Sequence, residues 1–477
     1  MPFKKLLYGF LICSAVLNLQ AQEKFYATMD ANDAIALQQK FPNEVQIIDS
    51  KNLQSAVYIT ENAAEFLHKN ILTHGPGYIF KANKENALQA INFIKTENKV
   101  LNFSITEDVL VNQAINMVNT ENIKNHIQIL ENYGTRRENT AEGTQASNDL
   151  KTKWENMIVA SGRTDISVRL VNHVSTPMPS VVLTITGTSF PDEYVIVGGH
   201  LDSFSNVSQA PGADDDASGI ATITEMFRIL LDMNFKPQRT VEFMAYAAEE
   251  VGLVGSSEIA SDYSANSKNV ISVLQLDMTN YKGSSKDIYL ATDPLYVSND
   301  LNLFLIELMT HYNSSGTHTF TYGNTLCSYG CSDHASWAAQ GYDAAFPFES
   351  AFGQHDPNIH TAGDTLAFMG NNVNHSAKFA KLGLEYIIES AKSEVLAVQD
   401  VQKEDVKIYV ENKILKYQAG KNVIDNVSII DTSGRNLLQK NHLPSIGQVD
   451  LSHISSGFYL AVFKTKDGKI FTKKFIL

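Results

Sequence analysis

The chain has 477 residues, 44% of them hydrophobic, and a formal net charge of −14. That length exceeds one ordinary core and predicts two or three folding units. The acidic balance excludes a nucleic-acid surface, which needs a basic stripe. It suits a solvated monomer surface, or a protein that holds divalent cations.

In chain order, Lys4 and Lys5 precede an apolar run over 6–17, too short for a stable membrane anchor. Residues 1–21 therefore read as an export signal cut after Ala21, although Leu19 departs from the small-x-small rule. No later stretch is long and apolar enough to span a bilayer, so the processed chain is expected to be secreted, extracellular and soluble, with cell-surface association before processing. Cys13 lies in the signal, leaving Cys327 and Cys331 as the only mature pair. An even pair in an exported protein predicts a disulfide. The alternative, a thiolate zinc pair, needs two more soft ligands, and none accompanies them.

Residues 22–104 mix strand and helix patterns without concentrated reactive residues. From 105 to 396, short apolar runs such as Val195-Ile196-Val197, Val241 to Tyr246 and Val270 to Leu274 alternate with helical stretches. Such runs suit interior strands covered on both faces. Ile220, Ile223, Phe227 and Ile229 supply helical spacing, so the pattern is α/β. Residues 397–404 read as a linker. From 405 to 477 the texture is short strands and turns: candidate strands lie at 407–410, 427–430 and 458–463, with a hairpin turn at 466–469 before 470–475. This is a small all-β module.

Five positions at strand ends or in loops carry chemistry, where open α/β sheets place ligands. In Gly198-Gly199-His200-Leu201-Asp202-Ser203, an extended chain would let Asp202 orient the His200 imidazole toward a metal; a lone histidine after a strand is also often structural. In Asp214-Asp215-Asp216, helix capping explains one or two acids, and three in a row call for a cation. Glu249-Glu250 follows a buried run, so one can bind metal while the other meets substrate; a solvated pair is the plain alternative. Asp277 ends an apolar run and could simply begin a turn. His360 is a second imidazole in a loop.

These motifs, with Cys331-Ser332-Asp333-His334, Pro347-Phe348-Glu349-Ser350 and Ile359-His360-Thr361, resemble the secreted bacterial dizinc leucyl aminopeptidases, in unbroken order over about 105–396. The resemblance implies one globular zinc-exopeptidase domain of α/β class, with a mixed central sheet flanked by helices. It assigns zinc ligands to His200, Asp215, Glu250, Asp277 and His360. Asp215 bridges two Zn2+ ions; His200 and Asp277 complete one site, Glu250 and His360 the other. One imidazole per site suits zinc better than calcium or magnesium. Glu249 resembles the general acid/base. Tyr329 and Ser332 are placed as donors to the oxyanion, Tyr329 alternatively as packing. Met278, Cys327, Tyr329, Cys331, Phe346, Phe348, Phe352 and Ile359 would line an apolar pocket for leucine-like residues, or serve as ordinary core. Ala291 and His355 stand where larger apolar residues are usual, which predicts a wider or more polar pocket.

The implied substrates are peptides with a free N-terminus. Residues 22–104 occupy the place of a propeptide that assists folding or blocks the cleft. Residues 405–477 resemble the sorting domain of the type nine secretion system, carried by Ile429 to Arg435 and Ser455 to Leu460, which makes that machinery a partner; a substrate-binding β-module competes with this. Against the aminopeptidase stand another zinc amidohydrolase on the same scaffold (carboxypeptidase, dipeptidase or deacylase) and a non-catalytic binding protein. The first needs a cation or extra polar groups to hold a substrate carboxylate, and the matched motifs hold no arginine to do that. The second typically lacks ligands or base.

Overall fold

The computed structural model describes residues 24–70, 74–92, 101, 103–392, 407–411, 413–419, 423–431, 436–455, 458–466 and 470–477. The expected signal (1–21), the linker (397–404) and turn residues 467–469 lie outside them. Two compact units divide the chain, Met1–Ser393 and Glu394–Leu477.

The first unit begins with β1 (Lys24–Asp30), α1 (Ala31–Lys40), β2 (Val45–Lys51), β3 (Gln54–Thr60), α2 (Glu61–Asn70), β4 (Tyr78–Lys81) and α3 (Lys84–Asn92). The strands form an antiparallel sheet of order β2-β3-β1-β4. Ala27, Met29, Val57 and Ile59 pack with Leu37 and Leu67 in a small core of their own. Asp30 starts α1 by accepting the N–H groups of Asn32 and Asp33, which the first helical turn otherwise leaves unpaired.

Next come α4 (Asp108–Asn116), α5 (Thr120–Glu131), α6 (Ala141–Ser161), β5 (Ile166–Val171), β6 (Ser180–Ile185), β7 (Phe190–His200), α7 (Ala217–Asp232), β8 (Arg239–Tyr246), α8 (Val254–Ala265) and β9 (Asn269–Gln275). After them run β10 (Ile288–Ala291), α9 (Asn299–Tyr312), β11 (Tyr322–Thr325), α10 (His334–Ala338), β12 (Ala344–Ala345), β13 (Pro347–Phe348) and α11 (Ser376–Ala391). A mixed six-stranded sheet of order β12-β9-β7-β8-β6-β5 forms the centre, parallel from β12 to β8 and antiparallel through β6 and β5. The continuous apolar runs have the expected cause. Val195, Val197 and Phe243 join the core of α5, α6, α7 and α11, while Ile196, Met244 and Tyr246 face Ile259, Tyr263 and Trp337 on the other side. Both faces are covered, and each such Val, Ile, Phe or Met contributes about 1.5–3 kcal/mol by burial.

In the second unit, β14 (Lys407–Glu411), β15 (Ile414–Gln418) and β18 (Ile446–Asp450) form one sheet; β16 (Ile424–Asp431), β17 (Asn436–Leu443), β19 (Phe458–Thr465) and β20 (Ile470–Ile476) form another, of order β17-β16-β19-β20. Leu415, Tyr417, Val427, Ile429, Val449 and Phe463 supply its core. Strands β15, β17 and β18 were not among the expected ones.

Candidate metal centre and active site

The parallel strands end at one edge of the sheet, and the expected ligands sit there. His200 is the last residue of β7, Glu249 and Glu250 follow β8, and Asp277 follows β9. Asp215 precedes α7, and His360 comes from the loop after β13. All six are buried.

Their atoms converge in two groups. His200 Nε2 lies 2.9 Å from Asp215 Oδ1 and 3.4 Å from Asp277 Oδ1. His360 Nε2 lies 3.2 Å from Asp215 Oδ2 and 3.1 Å from Glu250 Oε2. Asp215 thus turns one oxygen to each imidazole. His200, Asp215 and Asp277 have the spacing of metal ligands, and so do His68, Glu250 and His360.

The three successive aspartates divide the work. Asp216 caps α7, accepting the Gly219 N–H at 2.8 Å and the backbone N–H groups of His200 and Met278. Asp214 accepts the N–H groups of Asn280 and Tyr281 and so fixes the loop after Asp277. Only Asp215 is free to face the histidines. The backbone passes closely here: a Cβ on Gly199 would lie 2.8 Å from both Asp216 Oδ2 and the Leu276 carbonyl. Ala248, Met278 and His360 all have positive φ, a conformation that costs an ordinary residue about 1–2 kcal/mol and clusters at functional sites.

Asp202 has a second contact besides the one expected with His200. Its carboxylate oxygen is 3.6 Å from His200 Nδ1, and the closer partner of that nitrogen is the Asp202 backbone carbonyl, at 3.1 Å. The carboxylate also accepts the N–H groups of Glu249 and Glu250, at 3.0 and 3.2 Å. It aims both glutamates.

A metal pair fits this cluster. Glu250 Oε1 and Oε2, Asp277 Oδ1 and Glu249 Oε1 are buried without a hydrogen-bond partner, and such groups are expensive unless a cation or donor meets them. One N–H on His360 cannot serve two carboxylates at once. Two ligand atoms on one tetrahedral zinc lie about 3.3 Å apart, given bonds of about 2.0–2.1 Å, close to the separations seen here.

Electrostatics agree. Burial alone would keep His200 neutral, yet Asp277, Asp202 and Asp215 raise its pKa well above the ordinary histidine value. Burial pushes Glu249 well up, with Glu250, Asp333 and Asp277 adding to the shift. Divalent cations among these acids would favour their ionised forms.

Beside the acids lies an apolar cluster containing Met278, Ala291, Cys327, Tyr329, Cys331, Phe346, Phe348 and Ile359, with Phe352 packed against it. Cys327 and Cys331 are joined in a disulfide. His355 meets Phe348 and Phe352 at ring distances of 5.6 and 5.4 Å. The Ser332 hydroxyl donates to Asp277 Oδ2 at 2.6 Å, so its proton holds that acid in place. The Tyr329 hydroxyl donates to the backbone carbonyl of His74.

The sequence pattern of Peptidase family M28 matches residues 180–383. Leucine aminopeptidase 1 of Sclerotinia sclerotiorum is 35% identical over 282 residues, 56% of this chain and 70% of that protein. The chain belongs to peptidase family M28. Leucine aminopeptidase 1 of Paracoccidioides brasiliensis is 33% identical over 316 residues, 62% of this chain and 78% of the relative. Among solved structures, LapB of Legionella pneumophila superposes with a TM-score of 0.68 at 27% identity, and LapA aminopeptidase of the same organism with 0.66 at 28%; each covers 78% of this chain and 100% of its own. Residues 403–477 match the secretion system C-terminal sorting domain, which directs this M28 peptidase out of the cell. No helix among the described residues is long and apolar enough to cross a membrane.

Sequence reasoning missed three groups of residues around this centre. Arg136 is fully buried and donates to the carbonyls of Leu130, Leu201, Pro211 and Gly212 at 2.6–3.0 Å, tying the segment after His200 to the segment before Asp214. Asp364 accepts the N–H groups of Asp214 and Asp215. His68 and His74, from a region without concentrated reactive residues in sequence, reach the acidic cluster itself.

Proposed function

We propose that this peptidase is a two-zinc aminopeptidase that removes apolar, leucine-like residues from peptides with a free N-terminus. The observation that carries this reading is that both imidazoles, His200 and His360, meet Asp215, one on each carboxylate oxygen, with Glu249 Oε1 unpaired beside an aromatic pocket. We assign one ion to His200, Asp215 and Asp277, and the other to Asp215, Glu250 and His360. Zinc bound there polarises a carbonyl and lowers the pKa of water from 15.7 to about 7. Glu249 Oε1 takes a proton from the attacking water and returns it to the leaving amine nitrogen. Asp202 holds Glu249 at the required place through its peptide N–H. Phe346, Phe348, Phe352, Met278 and Ile359 exclude water around the substrate's first side chain, and Ala291 leaves room for residues larger than leucine.

Residues 22–104 serve as a propeptide, 105–396 as the catalytic domain and 405–477 as the sorting module. The test is cleavage of leucine-p-nitroanilide against its N-acetylated form. Cleavage of the free-amine substrate alone supports the reading; preference for the blocked one overturns it.

A further inference from the structure

The N-terminal region is bound to the catalytic surface by specific contacts. Phe80 N–H donates to the Gly252 carbonyl at 2.8 Å, and Gln54 Nε2 donates to the Tyr296 hydroxyl at 3.0 Å. This docking sets two histidines against the acidic cluster, one on each side of Asp215.

His68, near the end of α2, stacks on Phe204 with ring centres 4.5 Å apart and meets the His360 ring edge-on at 4.4 Å. Its Nε2 lies 3.4 Å from Glu250 Oε2 and 3.4 Å from His360 Nε2. Those are distances for ligands around a shared ion. His74 enters from the opposite side. Its Nε2 lies 3.5 Å from Asp277 Oδ2. The side chain is 1% exposed and neither ring nitrogen has a hydrogen-bond partner. A buried polar ring without partners is costly, and a cation at Nε2 would satisfy it. The same ring lies 5.2 Å from Phe348 and 6.2 Å from Phe346, so it also fills part of the apolar pocket. Gly75, at φ +61°, lets the chain pass: a Cβ there would stand 2.5 Å from the Cys331 carbonyl and 3.4 Å from Glu249 Oε1.

We propose that His68 and His74 are metal ligands of the uncut chain, one for each ion, so that latency rests on imidazole coordination as well as on filling the pocket. The inference rests on the two-zinc reading above. Each ion there has three protein ligands, one of them shared, which leaves the open position that a catalytic zinc keeps for water or substrate. An added imidazole closes that position and converts each site to the four-ligand type found in structural zinc. Pocket filling alone needs only apolar side chains; two imidazoles aimed at opposite metal sites are a different device. The uncut chain should therefore be inactive and hold its metal more tightly than the processed enzyme.

The test is zinc-edge X-ray absorption on the full chain, before and after limited proteolysis that severs the 93–104 segment and removal of the released fragment. The expected result is about two imidazoles per zinc before cleavage and about one after, from the four and two histidines counted above over two ions. The full-length His68→Ala/His74→Ala protein should show the processed count, lose zinc faster to a chelator and cleave leucine-p-nitroanilide at least about tenfold faster than the uncut wild type. If that variant does not fold, the wild-type pair still decides. Two zinc ions in both forms with the same imidazole count overturn the ligand role while leaving the aminopeptidase reading intact. Zinc absent from both forms overturns the metal centre and this inference with it.

Discussion

Replacing Glu249 with glutamine isolates proton transfer from every other function of the site. The glutamine is nearly isosteric, and Oε1 has no hydrogen-bond partner to lose. The backbone anchor, Glu249 N–H to Asp202 Oδ1 at 3.0 Å, survives the exchange. Removing one carboxylate from a crowded acidic cluster also relieves repulsion, since Glu250 and Asp277 both push on it. Stability and zinc content should therefore hold. General acid–base catalysis contributes typically 10²–10⁴-fold, which corresponds to about 3–5 kcal/mol on the barrier. The assay is kcat and KM for leucine-p-nitroanilide with the processed enzyme, beside zinc by mass spectrometry. A kcat lowered by about 10²–10⁴ with KM and zinc unchanged is expected. A loss below tenfold, or one matched by lost zinc, refutes the role.

Other substitutions probe the scaffold. His360→Ala should leave about one zinc per chain instead of two, because His200 and Asp277 keep the other site; an unchanged metal count contradicts the assignment. Arg136→Lys keeps the charge but not the fork, and with three donors for four buried carbonyls at least one loses its partner, at a cost of about 1–3 kcal/mol each. Its melting temperature should drop by several degrees or more, and an unchanged melt refutes the clamp. Burial pushes His126 down to about 3 and His375 down to about 4. The unfolded chain binds protons near pH 6.5 that the fold refuses, so stability is complete above 6.5 and falls as pH drops toward 4. Each group contributes about 1.4 kcal/mol per pH unit. His126→Leu should therefore lose less stability than wild type between pH 6.5 and 4.5, and parallel melting curves contradict this.

The legible parts of the protein were those whose physics is local. Val195 to Val197 and Val241 to Tyr246 announce buried strands by their own composition, and His200, Glu250 and Asp277 stand out because charge ends an apolar run. The crowding of Asp214, Asp215 and Asp216 signalled more than capping, and the structure gives each a separate task. What escaped depends on distant partners. Arg136 is unremarkable in sequence, since its four carbonyls lie as far away as Gly212. Asp202 was expected beside the imidazole, and its carboxylate lies 3.6 Å from His200 Nδ1; what escaped is that the same carboxylate also accepts the Glu249 backbone N–H. His68 and His74 gain meaning only when the first sheet docks. Strands β15, β17 and β18 were missed because Lys, Gln and Asn on their exposed faces dilute the apolar alternation that marks a strand.

The whole account rests on two cations gathered about Asp215. Stripping the processed enzyme with a chelator and titrating zinc back, with bound metal and leucine-p-nitroanilide cleavage followed together, tests this most directly. Activity should return in step with binding that saturates at two zinc per chain, and Asp215→Asn should weaken both sites at once. Full activity in protein that holds no metal, or saturation at a single ion, would contradict it.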